Sequence, residues 1–225
     1  MVPSFRLFSS SIADLEYNEM ARVLDVMNQQ EIPSRNLKPE TRDEVESLLR
    51  TVVSKRPTVI PLKSVAEVLP GTTWKLGFST ESATLGDLPR DAFVELQFLD
   101  DKRMDYILSF SKKVVGIKRL VAKSSYVVDS TNINPGLVTF VYDEIITDVF
   151  GFKNLGVGFF GLLKGRANYV ETAFMDSRFW IERGNNPNGK EFYNVYVKQL
   201  DQDGKLDDTV ATKNLPITFD DNQWD

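Results

Sequence analysis

The chain has 225 residues, of which 42% are hydrophobic and 26% charged, the balance of one globular domain able to hide roughly 70% of its unfolded surface. It has no cysteine and no histidine, which excludes disulfides, thiolate nucleophiles, Cys/His zinc sites and every Ser-His or Cys-His catalytic pairing. The net charge of −5 belongs to the end of the chain, where seven aspartates after Leu200 face two lysines; the balanced body offers no basic footprint for nucleic acid.

Residues 1–11 hold Arg6, four serines and no acid. This reads as a transit-peptide remnant or a disordered leader. Residues 12–66 form a helical segment. Ser11 to Asp14 is a loose capping box, and Ile12, Leu15, Met20, Val23, Leu24 and Met27 follow as an apolar stripe ended by Pro33. Thr41-Arg42-Asp43-Glu44 is a second capping box. After it, Val45, Leu48, Leu49 and Val52 share one helical face before Pro57 and Pro61 break the pattern.

Residues 67–199 change to a period of two. Trp74, Leu76 and Phe78 alternate with polar or small neighbours, as do Ala92 to Phe98 and Met104 to Phe110. Asp100-Asp101-Lys102 is a turn between two of these strands. Further strands are expected at Val114 to Leu120, Val121 to Val128, Leu137 to Tyr142, Ala167 to Met175, Arg178 to Arg183 and Phe192 to Lys198, the last two joined by the turn Asn185 to Gly189. So many short strands with no helices between them predict a mainly β fold: an antiparallel barrel of about eight strands with an N-terminal helical cap. About eight strands leave an interior able to hold one small ligand. Phe150 to Gly165 carries five glycines and no consistent period, and is expected as a loop over the barrel or a lip at its mouth. Its apolar run, Leu155 to Leu163, is too short for a spanning helix, which needs about 20 residues. Residues 200–225 form an acidic tail expected to be solvated.

Thr172-Ala173-Phe174-Met175-Asp176-Ser177-Arg178-Phe179-Trp180-Ile181-Glu182-Arg183-Gly184 resembles the closing signature of the plastid lipid-associated, or fibrillin, proteins. The family pattern falls on Phe174, Asp176, Ile181 and Gly184, with Phe174 where the family more often has Tyr. Leu69 to Thr80, around Trp74, resembles the family's opening strand. The resemblance implies a lipocalin-like, calycin-type barrel in a plastid, at thylakoids or plastoglobules. It implies a structural or carrier role toward an apolar ligand such as a prenyl lipid, quinone or carotenoid, with peripheral contact to a membrane or lipid-droplet surface. The residues themselves leave a mitochondrial or cytoplasmic location open.

Alternation places Leu76, Phe78, Leu96, Tyr106, Leu108, Phe110, Tyr126, Phe179 and Tyr196 inward, as packed core or as the lining of a ligand cavity. In lipocalin-like barrels a Trp of the first strand packs under an Arg of a late strand; Trp74 and Arg183 are the candidates here for such a cation–π plug. No catalytic residue, metal site or cofactor is expected. Asp100/Asp101, Asp143/Glu144 and Asp207/Asp208 are adjacent pairs that point to opposite faces of a strand. Asp201 to Lys205 lacks the later ligands of a calcium loop. The alternatives to a carrier are a calycin-like enzyme or pigment lyase, which would need a buried Tyr or carboxylate facing a pocket, and an assembly factor whose barrel is filled by its own side chains.

Overall fold

The computed structural model of the protein describes residues 22–23, 38–55, 58–80, 92–114, 116–149, 152–156, 164–185 and 188–199. The leader, most of the first expected helix, residues 157–163 of the Gly-rich segment and the acidic tail lie outside the described residues. Helix α1 (Pro39–Lys55) starts ahead of the expected Thr41 cap. Pro39 explains the difference: its φ is preset for a helix, and its missing N–H would have gone unpaired in a first turn anyway. The Lys38 carbonyl accepts the first helical bond, from the Arg42 N–H at 3.0 Å.

Nine strands follow among the described residues: β1 (Thr73–Ser79), β2 (Ala92–Phe98), β3 (Arg103–Val114), β4 (Ile117–Val128), β5 (Leu137–Val149), β6 (Phe152–Gly156), β7 (Ala167–Met175), β8 (Phe179–Asn185) and β9 (Glu191–Lys198). All pairings are antiparallel. Eight strands close into a ring in the order β1-β2-β3-β4-β5-β7-β8-β9, because β9 returns to β1 and β4 also pairs β5. This is the predicted barrel, and closure leaves its wall without the two open edges of a flat sheet. Three local expectations differ. Val114 to Leu120 and Val121 to Val128 are not two strands; β4 runs through both, and Gly116, at φ +79°, turns β3 into it. Strand β5 continues past Tyr142 to Val149. The Gly-rich segment contributes β6, which pairs with the far half of β5.

Two buried clusters lie on opposite sides of the wall. Inside, Trp74, Leu76, Leu96, Phe98, Met104, Tyr126, Phe140, Trp180 and Tyr196 pack together. Outside, Val45, Leu49 and Val52 of α1, with Val23, cover Phe78, Phe174, Phe179, Ile181, Tyr193, Val195 and Val197. Strands β8 and β9 are therefore buried on both faces, one toward the interior and one toward α1. Arg50 fastens the helix: its guanidinium bonds Glu46 and Glu191 and lies 5.3 Å from the Tyr193 ring centroid.

The segment after α1 closes one end of the barrel. Thr58 Oγ1 donates to the Met175 carbonyl at 2.8 Å, and the Ile60 N–H donates to the same carbonyl at 3.0 Å. A 3₁₀ turn (Leu62–Ser64) and α2 (Val65–Val68) then set Val65 and Leu69 into the inner cluster, both fully buried. Among the described residues no helix is long and apolar enough to cross a membrane.

Candidate functional site

Above this plugged end the barrel interior holds a cavity of about 330 Å³, at the small end of the 300–1,000 Å³ typical of ligand sites. Its floor is aromatic. Trp180 meets Trp74 edge-on with centroids 6.0 Å apart, Phe98 at 5.9 Å and Tyr196 at 5.5 Å. Leu96, Met104, Tyr106, Val138, Phe140 and Val170 supply apolar wall. Tyr169, 67% exposed, is also part of the lining, so the cavity reaches the surface of the described barrel. On this side of the barrel the β7–β8 ladder runs from Met175↔Trp180 only as far as Glu171↔Arg183.

One wall is polar. Glu182 and Asn194 are register partners on β8 and β9, 5% and 8% exposed, and Asn194 Nδ2 donates to Glu182 Oε2 at 2.7 Å. The Tyr196 hydroxyl bonds the same carboxyl; burial above all, then the charge of Glu182, pushes its pKa well above the usual tyrosine range. Burial also raises the pKa of Tyr142, opposed by the bond its oxygen accepts from Asn168 Nδ2 at 2.9 Å. The result is a chamber of mixed character, aromatic and aliphatic wall beside the hydrogen-bonding groups of Glu182, Asn194, Tyr196, Tyr142 and Asn168, an arrangement suited to orienting a ligand.

Of the nine residues expected to face a ligand, Leu96, Tyr106 and Tyr196 line the cavity. Leu76, Leu108 and Tyr126 pack in or against the inner cluster without lining it. Tyr126 helps seal the barrel end, donating its hydroxyl to the Asp100 carbonyl at 2.7 Å and standing edge-on to Phe98 at 4.9 Å. Phe110 is buried opposite Ala92, off the lining.

Phe78 and Phe179 are on the outer face, under α1. For Phe78 the cause is a register shift between Leu76 and Phe78. The extra residue, Gly77, reverses the in-out parity, so Leu76 faces inward beside Tyr196 and Phe78 outward beside Val195. For Phe179 the cause is a strand apolar on both faces, in which Trp180 rather than Phe179 takes the inward position.

Trp74 and Arg183 do not meet. Trp74 is inside near the plugged end, its indole N–H donating to Thr72 Oγ1 at 2.8 Å. Arg183 is on the outer face near the other end of β8, bonded to the Glu171 carboxylate and 3.8 Å from Glu191. The cation that lies over the indole is Lys198, with Nζ 6.0 Å from the ring centroid.

The signature residues have local structural work. Asp176 Oδ1 accepts the N–H groups of Arg178 and Phe179 at 2.7 and 2.6 Å, which forms the turn between β7 and β8. A register shift between Thr172 and Phe174 sends Phe174 outward beside Ile181. Gly184 lies directly under the ring of its register partner Phe192; a Cβ there would come within 2.4 Å of it. Two of the acidic pairs are likewise structural. Asp100 Oδ1 accepts the N–H of Lys102 and Arg103 at 2.9 and 2.8 Å, while Ser125 and Lys123 hold Asp143 and Glu144. Asp207/Asp208 lie outside the described residues. No cluster able to hold a metal ion occurs among the described residues.

Sequence reasoning missed the polar wall. Glu182 stands two residues after Trp180 on the same strand face, and that spacing is the signal that marks an inward carboxyl once Trp180 is placed inward. Compared with protein-family models, characterised proteins and solved structures, the chain matches none.

Proposed function

We propose that this chain is a binding protein that holds one small, mainly apolar molecule in the barrel cavity. One observation carries the reading: a chamber of about 330 Å³ with aromatic and aliphatic wall and hydrogen-bonding groups at Glu182, Asn194, Tyr196, Tyr142 and Asn168. The same chamber argues against a barrel filled by its own side chains. The likeness of the strand ends to plastid lipid-associated proteins supports a prenyl lipid or quinone, with a carrier or structural role in a plastid. The cavity suits a ring head and a short stretch of tail better than a whole carotenoid. A peripheral seat on a membrane or lipid-droplet surface belongs to the same reading; exposed Phe152 on β6 is a described residue able to insert there.

A second reading, as an enzyme, is favoured by the carboxyl of Glu182 and the hydroxyl of Tyr196 meeting at the cavity wall, since buried acid–base groups in a pocket are what proton transfer requires. Native mass spectrometry of the protein purified from its source, followed by solvent extraction, tests both. A carrier yields one apolar molecule per chain, unchanged after incubation. An enzyme converts it. Recovery of no apolar molecule, together with no saturable quenching of tryptophan emission by added prenylquinone, would overturn the binding reading.

A further inference from the structure

We propose that the cavity takes an organic cation, an ammonium head on a short apolar body, in preference to a neutral or anionic molecule of the same shape. The inference rests on the binding reading above and adds to it the charge of the ligand.

The sign of the wall carries the argument. Of the sixteen described residues that line the cavity, eight are aromatic, one is acidic and none is basic. The acid is Glu182. It follows Trp180 by two residues on β8, so both side chains point to the interior. Its carboxyl accepts the Asn194 amide from β9 at 2.7 Å. Burial raises the pKa of both Tyr196 and Tyr142, and the charge of Glu182 adds to the rise in each. Tyr142 belongs to β5, two strands away round the barrel. The field of the carboxylate therefore extends through the chamber that both tyrosines line.

The basic side chains of β8 and β9 are placed elsewhere. Arg183 is on the outer face with Glu171 and Glu191, and Lys198 lies over the Trp74 ring near the plugged end. Charges act strongly where water is sparse. A cation in the chamber is attracted by the carboxylate and an anion is repelled, whether or not the ligand touches Glu182. The aromatic wall works in the same direction, because ring faces attract ammonium groups and not anions.

The test is calorimetric titration of the full chain with phenylbutylamine, phenylbutanol and phenylbutyrate, in about 0.15 M salt to screen the acidic residues beyond Leu200. The three share an apolar body and present a cation, a neutral hydroxyl and an anion at neutral pH. The amine is expected to bind at least about tenfold tighter than the alcohol, and the carboxylate at least about tenfold weaker than the alcohol. Glu182→Gln keeps the shape and removes the charge. It should weaken the amine about tenfold and leave the alcohol within about twofold. Unchanged amine affinity in that variant overturns the role given to Glu182; if the variant does not fold, the three ligands on the unaltered protein decide. An alcohol that binds as tightly as the amine, or a carboxylate that binds tightest, overturns the cation preference and leaves the carrier reading intact. Binding of none of the three also overturns the preference, and the carrier reading falls with it only if added prenylquinone fails to quench tryptophan emission.

Discussion

Gly184 shows how one missing side chain shapes the site. The Phe192 ring lies across it on the neighbouring strand, where a Cβ would meet ring atoms at 2.4 and 2.8 Å. Gly184→Ala must therefore displace that ring, which is part of the cavity lining. The expected cost is about 1–3 kcal/mol, the usual range for overpacking. In a Phe192→Ala background the same change should cost less than about 0.5 kcal/mol, since the clashing atoms are gone. A double-mutant cycle by urea unfolding measures the coupling; additive costs would show that the ring is not what excludes a side chain here. The two register shifts belong to the same scale. One extra residue at Gly77 and one at Ala173 send Phe78 and Phe174 to the outside, and strict alternation read from the sequence has no means of seeing either.

Among the elements, α1 has the largest consequence. Strands β1, β7, β8 and β9 have an apolar outer face that would be exposed without it, and Leu49 is fully buried against that face. Leu49→Ala is expected to destabilise the protein by about 2–5 kcal/mol through the lost contact and the cavity left behind. Because α1 packs outside the barrel and the cavity lies inside, affinity for an added prenylquinone should stay within about twofold. Chemical unfolding and calorimetry on the same variant check both halves. A large loss of affinity with little loss of stability would mean that the helix shapes the chamber rather than the wall. The ion pairs that accompany the helix, Arg22–Glu44 and Arg50–Glu46, are solvent-exposed and belong to the class that contributes little.

At the scale of the whole molecule, the absence of histidine and the burial of tyrosines set the pH response. With no histidine to titrate, stability should be flat from about pH 6 to 9. Burial raises the folded-state pKa of Tyr142, Tyr193 and Tyr196, and pushes Tyr126 up to about 12. For such groups the stabilisation is complete below the unfolded value near 10 and is lost as pH rises through the folded value. Lys75, whose pKa burial lowers, acts in the other direction: its penalty is relieved as pH approaches its ordinary value. Four tyrosines against one lysine predict a net loss of stability beginning near pH 10, read as a falling urea midpoint. A midpoint that changes across neutral pH, or holds steady up to pH 12, would contradict this account.

The architecture was legible because it depends on period and punctuation. Alternation from Trp74 onward, turn residues such as Asp100 and Gly189, and the stripe Val45-Leu48-Leu49-Val52 are local features, and they sufficed for a barrel of about eight strands with a helix ahead of it. Which face each aromatic takes was not local. Phe179-Trp180-Ile181 is apolar at every position because β8 is covered by α1 on one side and by the interior on the other, so its sequence has no parity to read. The polar wall depends on register: Glu182 and Asn194 are twelve residues apart and meet only because β8 and β9 pair with that offset. Arg183 is kept from Trp74 by the same geometry, since a one-residue step along a strand exchanges inside for outside.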